Sequence, residues 1–146
     1  MITKRLCSLA SVCFLCFTFK FTLAQRKSAN CPAFRDTILH KLVYKVVDKA
    51  PEVKGGIQQF YKKLSKNLRY PTGDIDYHGK VVVAFVVEPN GKIDGKRTIY
   101  DPSGKQRLFS KQILNIVDMV IWIPGLCNGR PVPVLYTLPV RIDIAE

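Results

Sequence analysis

The residue types that usually perform chemistry in proteins are scarce in this sequence. Its two histidines, His40 and His78, lie in different predicted elements, and neither has an acidic partner at the spacing of a catalytic or metal-binding motif. Asp74 and Asp76 belong to a polar loop near His78, which is more typical of a solvated loop than of paired carboxylates. The sequence contains no glycine-rich phosphate loop and no nucleophile elbow. We therefore expect no catalytic residue, no metal, no cofactor and no enzyme activity.

The first residues have the pattern of a secretory signal peptide. Lys4 and Arg5 form a basic start, residues 6–19 are an apolar run of 14 residues, and Ala24 ends a stretch of small residues that a signal peptidase could cleave. A helix that spans a membrane needs about 20 apolar residues. The prediction is therefore cleavage after Ala24 and release into the periplasm, with an uncleaved inner-membrane anchor as the alternative.

The five cysteines divide between this segment and the rest of the chain. Cys7, Cys13 and Cys16 lie within it, whereas Cys31 and Cys127 remain after cleavage. Two cysteines in an exported protein can pair, because the compartment is oxidising. On the chain-entropy model, a bond that closes so long a loop stabilises the fold by about 4–5 kcal/mol. From the sequence, a Cys31–Cys127 disulfide and two free thiols both stay open.

The charge of the chain is strongly basic. The formal net charge is +12, and without residues 1–24, which contain three basic and no acidic groups, 20 basic and 11 acidic groups leave +9. A basic domain can bind nucleic acid. The export signal and the scattered lysines argue against that function, so we expect no nucleic-acid partner. A periplasmic domain close to anionic lipid or cell-wall material fits the charge better.

The pattern of apolar residues predicts one small α+β domain. Apolar residues at helical spacing predict two helices, at residues 57–68 and 107–121. Asn90-Gly91 predicts a hairpin turn, and Gly95 a bulge in the strand that follows. β-branched runs predict strands at residues 42–48, 80–88 and 92–100. We expect a two-layer sandwich, in which an antiparallel sheet of three or four strands carries two helices on one face. The predicted organisation is a signal peptide at 1–24, a short mobile lead-in at 25–41 and the domain at 42–146.

The last stretch of the chain carries the most information about binding. Pro124-Gly125 and Asn128-Gly129 predict tight turns. A final strand is predicted at residues 132–142, although the run contains Pro133 and Pro139. Proline cannot donate to a strand ladder, so prolines are typical of edge strands. Because an uncovered edge can accept another strand, we expect residues 132–142 to form the outer strand and to receive a strand from a partner.

These segments, in this order, resemble the C-terminal domain of TonB proteins. The matching segments are Tyr70-Pro71, residues 79–91 (GKVVVAFVVEPNG), Trp122-x-Pro-Gly125, Asn128-Gly-x-Pro-Val132 and Tyr136-Thr-Leu-Pro-Val140. The resemblance covers about residues 42–144. TonB proteins couple a proton-driven motor complex in the inner membrane to transporters in the outer membrane. The resemblance therefore implies energy-coupled transport of nutrients across the membrane.

The resemblance also implies a binding mode. In this family the last strand pairs with an extended segment of the transporter's N-terminus, the TonB box, by β-strand addition. Trp122 and Pro124-Gly125 are expected to serve packing and turn formation instead. The expected partner-binding residues are Tyr70, Pro71, Val132, Val134, Leu135, Tyr136, Thr137, Leu138, Val140 and Ile142.

Departures from the family pattern leave other functions open. The sequence has no clear spanning helix, and fewer than 20 residues, without a proline-rich spacer, separate Ala24 from the domain. At about 3.3–3.6 Å per residue such a segment reaches about 60 Å at most, which is short for crossing the periplasm from the inner membrane. A free or weakly anchored domain would therefore act as an adaptor. Contact with the motor complex is expected if the anchor is retained. The alternative is a periplasmic interaction or structural module without transport coupling, which associates with the cell wall or pairs with a second copy of the chain.

Overall fold

The computed structural model describes residues 31–70 and 79–142, which form a sheet with two helices on one of its faces. The sheet has five strands in the order β1-β2-β9-β4-β5. The contact between β2 and β9 is parallel, and the other pairings in this sheet are antiparallel. The elements in chain order are β1 (Ala33–Arg35), β2 (Leu42–Tyr44), β3 (Glu52–Val53), α1 (Ile57–Asn67), β4 (Gly79–Val87), β5 (Ile93–Tyr100), a 3-10 turn (Gly104–Gln106), α2 (Leu108–Val117), β6 (Trp122–Ile123), β7 (Gly125–Cys127), β8 (Arg130–Val132) and β9 (Val134–Ile142).

The predicted α+β class and the two helices on one face are confirmed, and the sheet is larger than predicted. It is mixed and has five strands instead of three or four. Within the described residues, no helix combines the length and the hydropathy that crossing a bilayer requires.

The main core lies between the sheet and the two helices. Side chains alternate between the two faces of a strand, and Val81, Val83, Phe85 and Val87 direct theirs from β4 toward the helices. The helices and β9 complete the cluster with Phe60, Leu64, Phe109, Ile113, Ile116, Val117, Leu138, Val140 and Ile142. On α1 only the stripe with Phe60 and Leu64 is buried, as its helical spacing predicts.

The opposite face of β4 is also covered, by a segment that the sequence analysis had placed in the lead-in. Ala84 and Val86 are buried, although they do not belong to the helix-side cluster. The turn between β1 and β2 reaches this face: Asp36, 1% exposed, accepts a hydrogen bond from Arg97 Nη2 at 2.6 Å. Lys41 Nζ lies 2.6 Å from Glu88 Oε1. The lead-in prediction is therefore wrong for residues 33–41, because this segment closes the second face of the sheet.

Burial and hydrogen bonding shift the pKa of Asp36 in opposite directions. Burial raises the pKa of the carboxyl, but the N–H groups of Leu39 and Ile38 and the Arg97 guanidinium all donate to it. These donors favour the carboxylate, and the resulting pKa lies below its ordinary value. Asp36 thus stays ionised and ties the β1–β2 turn to β5.

The hairpin between β4 and β5 follows the prediction. Gly91 adopts a φ of 79°, and a Cβ there would lie 2.5 Å from the carbonyl oxygen of Trp122, so the turn requires glycine for both its conformation and its packing. The register between Ala84↔Arg97 and Val86↔Asp94 shows one extra residue on β5. This is the bulge that was predicted at Gly95, whose φ is 55°.

The second helix is shorter than predicted at both ends. Its start is capped by side chains that precede it: Ser103 Oγ accepts the N–H of Leu108 at 2.8 Å, and Asp101 Oδ2 accepts the N–H of Ser110 at 2.6 Å. Burial raises the pKa of Asp101, yet the hydrogen bonds from Ser103 and Ser110 outweigh it and lower that pKa below its ordinary value. The cap is therefore a carboxylate.

At its end α2 gives way to a strand. The prediction carried the helix to residue 121, with Trp122 at its end. Instead α2 ends at Val117, and Trp122 begins β6, which pairs with β3 through Val53↔Trp122 and Glu52↔Ile123. The indole N–H of Trp122 donates to the carbonyl of Val117 at 3.0 Å. The helix does not continue to residue 121, because the pairing of Trp122 with β3 and the burial of its side chain require an extended chain.

Candidate functional site

The last strand, β9, is paired unequally on its two sides. It pairs with β4 along its whole length, from Gly79↔Ile142 to Val87↔Val134. On the other side it contacts β2 at one position, Tyr44↔Val134. The prediction of an outermost strand is wrong, because β2 and β1 lie beyond β9 in the sheet. Among the described strands, however, no partner follows on that side after Val134, and the remainder of β9 is an open edge.

One hydrogen bond shows which backbone groups face the open side. The N–H of Tyr44 donates to the carbonyl of Pro133 at 2.9 Å, so the carbonyl of Pro133 points toward β2. The direction of the backbone N–H and carbonyl groups alternates from one residue to the next along a strand. Leu135, Thr137 and Pro139 therefore direct theirs away from β4. Pro139 has no N–H to donate. Because its backbone faces away from β4, the missing N–H costs no hydrogen bond in the β4–β9 ladder, which explains why a proline is tolerated within this strand.

A pocket lies where β2 leaves β9. After Tyr44 the chain bends away instead of continuing beside Leu135. The space between the departing segment and the start of β9 has a volume of about 320 Å³ and is open to solvent. Its lining consists of Lys45, Val47, Ala50, Pro51, Val134, Leu135, Tyr136 and Thr137. The open backbone of β9 thus begins beside a largely apolar pocket with one lysine.

An aromatic cluster packs beneath the core-facing side of β9. Tyr136 packs against Trp122 with a ring-centroid distance of 5.4 Å and against Phe85 at 5.8 Å. Burial, followed by the nearby Tyr61, raises the pKa of the Tyr136 hydroxyl above its ordinary value, so the ring stays neutral. Trp122 has the packing role that the resemblance implied, with 3% of its surface exposed.

Gly125 fixes the approach of the preceding hairpin to β9. A Cβ at this position would lie 2.7 Å from Cγ2 of Val134 and 3.1 Å from the carbonyl of Lys49. The β7–β8 hairpin therefore packs on the first residue of β9 more closely than any side chain at Gly125 would allow.

The predicted binding residues fall into two groups with different orientations. Val134, Leu138, Val140 and Ile142 are buried and face the core, so these side chains are not available to a partner. Leu135 and Tyr136 are half-buried at the pocket, and Thr137 is exposed. Val132 lies outside β9, in β8, where it pairs with Gly125. By the alternation of β9, Tyr136 shares the core-facing side with the buried residues, and Leu135 and Thr137 lie on the other side.

The pair Tyr70 and Pro71 is described only in part. Tyr70 is exposed and packs edge-on against Phe109 at 6.1 Å. The adjacent Arg69 is joined to α2 through Gln112, whose side chain accepts the Arg69 N–H at 2.7 Å and donates to its carbonyl at 2.9 Å. Pro71 lies outside the described residues, and a position of this pair beside a bound segment stays a prediction.

The sequence analysis missed the residues across the pocket from β9. Lys45, Val47, Ala50 and Pro51 oppose the strand there. The nearest turn-forming residues in the sequence are Pro51 and Gly55-Gly56. Nothing local in the sequence indicates that this segment lies next to a strand more than eighty residues later.

The two remaining cysteines are bonded in the structure. Cys31 and Cys127 form a disulfide with their Cα atoms 6.2 Å apart. It joins the segment before β1 to the β7–β8 hairpin. Asp48 also lies nearby and accepts the N–H of Asn128 at 2.5 Å. Both sulfurs are used in the bond, so this group does not offer a thiolate pair to a metal ion. His78 lies outside the described residues, and His40 is exposed.

Comparison with known families identifies the domain. Residues 66–143, more than half of the chain, match the family described as the Gram-negative bacterial TonB protein C-terminal. The chain belongs to the TonB C-terminal family. The matched segment runs from the last turn of α1 to the end of β9 and includes the open edge. Among curated proteins, no sequence matches this chain.

Membership defines the general function. The protein carries a TonB-like domain of energy-coupled transport, and the family is a transport-coupling domain and not an enzyme family. Domains of this family generally interact with outer-membrane transporters. The open part of β9 lies within the matched residues.

Proposed function

We propose that this protein binds the N-terminal TonB-box segment of outer-membrane transporters by β-strand addition along the open side of β9. The observation that carries the proposal is the unequal pairing of β9, which is complete toward β4 and limited to Val134 toward β2. An added strand would meet the carbonyl groups of Leu135 and Pro139 and both backbone polar groups of Thr137, because the parallel bridge Tyr44↔Val134 already uses the N–H of Leu135. Main-chain hydrogen bonds would supply affinity, and the adjacent pocket would select a side chain.

The other edges of the sheet are poorer acceptors, which supports this choice. The outer strand β5 has two register irregularities against β4, and bulges twist an edge away from pairing. It also carries charged side chains at Asp94, Lys96 and Arg97. At the opposite end of the sheet β1 is only three residues long. Of the described edges, β9 beyond Val134 is the one that is long and free of a bulge.

The proposed location is the periplasm. The signal-peptide pattern of residues 1–24, which lie outside the described residues, predicts export. A Cys31–Cys127 disulfide is consistent with an oxidising compartment. If residues 1–24 are retained as an anchor, the partners include the inner-membrane motor complex. If they are removed, the protein acts as a periplasmic adaptor.

Peptide titration with blocked hydrogen bonds tests the proposal. Peptides from the TonB-box region of transporters should bind in a calorimetric titration. A strand pairs through every second residue, so the N–H groups of only one set of alternate peptide residues face β9. N-methylation of that set should abolish binding, and N-methylation of the other set should leave it unchanged. If the two methylated peptides bind equally well, or if no peptide binds, the proposed strand addition is wrong.

A pair of substitutions tests the same contact from the protein side. Thr137→Pro removes an N–H that faces the open edge, whereas Thr137→Val keeps the N–H and the shape of the side chain. We expect Thr137→Val to bind as the wild type does and Thr137→Pro to lose binding, with thermal unfolding measured for both. A dimer that Thr137→Pro dissociates, in a protein that binds no transporter peptide, would instead establish the alternative, a self-pairing structural module.

A further inference from the structure

A second surface of the molecule combines exposed apolar side chains with unpaired lysines. Three apolar residues, Met119, Val120 and Ile121, follow one another between α2 and β6. Met119 is 49% exposed and Ile121 67% exposed, although Ile121 directly precedes the buried Trp122. Single exposed apolar side chains are common on protein surfaces. A consecutive run at the end of a helix is a more specific feature.

The backbone around this run is fixed. The carbonyl of Ile121 accepts the N–H of Lys54 at 2.8 Å, beside the β3–β6 pairing. The N–H of Met119 donates to the carbonyl of Ile116 at 2.9 Å and closes the last turn of α2. Trp122 is anchored in the core by its hydrogen bond to Val117. The two apolar side chains therefore project from a rigid turn.

Lysines surround the projecting side chains. A shallow depression of about 220 Å³ is lined by Lys54, Gln59, Lys63, Met119, Val120 and Ile121, which places two lysines on the same face as the apolar run. Residues four and three apart share one face of a helix, so Lys66 follows Gln59 and Lys63 along α1. We call this face, formed by Lys54, Lys63, Lys66, Met119 and Ile121, the basic apolar face.

Its charge is not neutralised by neighbouring acids. Helix α1 contains no acidic residue. Within residues 31–70 and 79–142, Lys54, Lys63 and Lys66 have no ion pair. The acidic residue next to the run, Asp118, is paired with Lys96 at 2.6 Å. The face therefore attracts an anionic surface and repels a second copy of itself.

We propose that the basic apolar face binds the surface of an anionic lipid bilayer. Ile121 and Met119 would enter the boundary between headgroups and acyl chains, while the three lysines contact anionic headgroups. Projecting side chains suit insertion into a bilayer. The depression beside them is shallow and open, so it offers little enclosed surface to a protein segment. The face shares no residue with the pocket beside β9, so a bilayer and a transporter segment can be bound together.

Vesicle sedimentation tests this proposal. The protein would be prepared without residues 1–24, as the predicted cleavage after Ala24 would leave it, because the apolar N-terminal segment could bind lipid by itself. Circular dichroism and thermal unfolding would first establish that it is folded. It would be sedimented with vesicles of phosphatidylcholine alone and with about a third phosphatidylglycerol, at about 0.05 M and about 0.5 M salt. We expect binding to the anionic vesicles only, weakened by salt.

Matched variants separate this face from the general positive charge. Lys63→Gln should weaken the partition coefficient about fivefold, and Ile121→Gln about tenfold. Lys105→Gln, before the start of α2, and Ile38→Gln, in the turn on the other side of the sheet, are the controls and should bind as the wild type does. Equal binding to neutral vesicles, equal losses in the controls, or no binding at low salt would overturn the proposal. Binding of the transporter peptide by Ile121→Gln should be unchanged, which keeps the two functions experimentally separate.

Discussion

Removal of the Cys31–Cys127 disulfide should lower stability by an amount that the structure allows us to work out. The two residues are 96 positions apart. In the chain-entropy model, closing a loop of this length costs the unfolded chain about 4.7 kcal/mol at 25 °C. The native hairpin keeps other contacts, because Leu126 accepts N–H groups from Asp48 and Lys49 at 3.0 and 3.2 Å. The loss therefore arises mainly in the unfolded state.

The measurement is guanidinium unfolding of the protein without residues 1–24, as wild type and as the double variant Cys31→Ser/Cys127→Ser. We expect a difference of about 4–5 kcal/mol, a large share of the about 5–15 kcal/mol that typical domains possess. Reductant should destabilise the wild type and leave the double variant unchanged. A difference below about 1 kcal/mol would refute the reasoning. The affinity for a transporter peptide, measured where both proteins are folded, should be the same, because the bond touches none of the outward-facing backbone of β9.

Three further predictions follow from buried groups. Asp101→Ala should lower the free energy of unfolding by about 2 kcal/mol, because it removes the acceptor of the Ser110 N–H at the start of α2. Urea unfolding measures this change, and a loss below about 0.5 kcal/mol would contradict the prediction. Gly125→Ala should cost about 1–3 kcal/mol, because its Cβ would overlap the side chain of Val134. The same change in a Val134→Ala background should cost less, and an equal cost would argue against the overlap. The pKa values of Asp36 and Asp101 are lowered in the folded protein, so their stabilisation is complete above the unfolded value of about 3.9 and is lost as the pH falls through the folded values. Stability in urea should therefore fall below about pH 4, less steeply in Asp36→Asn.

Local signals in the sequence predicted the elements that depend on neighbouring residues. The stripe of α1 with Phe60 and Leu64, the apolar alternation of β4, the Asn90-Gly91 turn and the bulge at Gly95 all follow from spacing or from glycine conformation. The structure confirms each of them. In these cases the tertiary structure and the local preference agree, which is why the sequence was sufficient.

Elements that depend on distant partners were mispredicted. Trp122 continues the apolar period of α2, but its pairing with Val53, nearly seventy positions earlier, makes it a strand residue. Residues 33–35 were assigned to the lead-in because nothing in their composition indicates that they pair with β2. The edge of β9 was half correct: its prolines indicate an unpaired side, yet the contact with Tyr44 is invisible in the sequence.

The candidate site was predictable in its backbone and not in its side chains. The prolines of the last strand indicated a side without hydrogen bonds, and the strand period alone could have separated Thr137 from the inward-facing Leu138. The pocket wall at Lys45 and Pro51 could not be found, because it depends on how β2 bends away from β9. The unpaired side of the strand was thus predictable from the sequence, and the wall of the pocket beside it was not.

The position of the disulfide has a mechanical consequence. Tension applied to the chain ahead of Cys31 has two covalent routes toward β9: through β1, β2 and all that follows, or across the sulfur bridge to Cys127, only seven residues before Val134. The bridge is the shorter and stiffer route, so a pull would bypass the three-residue strands β1 and β2 instead of peeling them off. The load would arrive seven residues before β9, whose open side is the proposed binding site for the transporter segment.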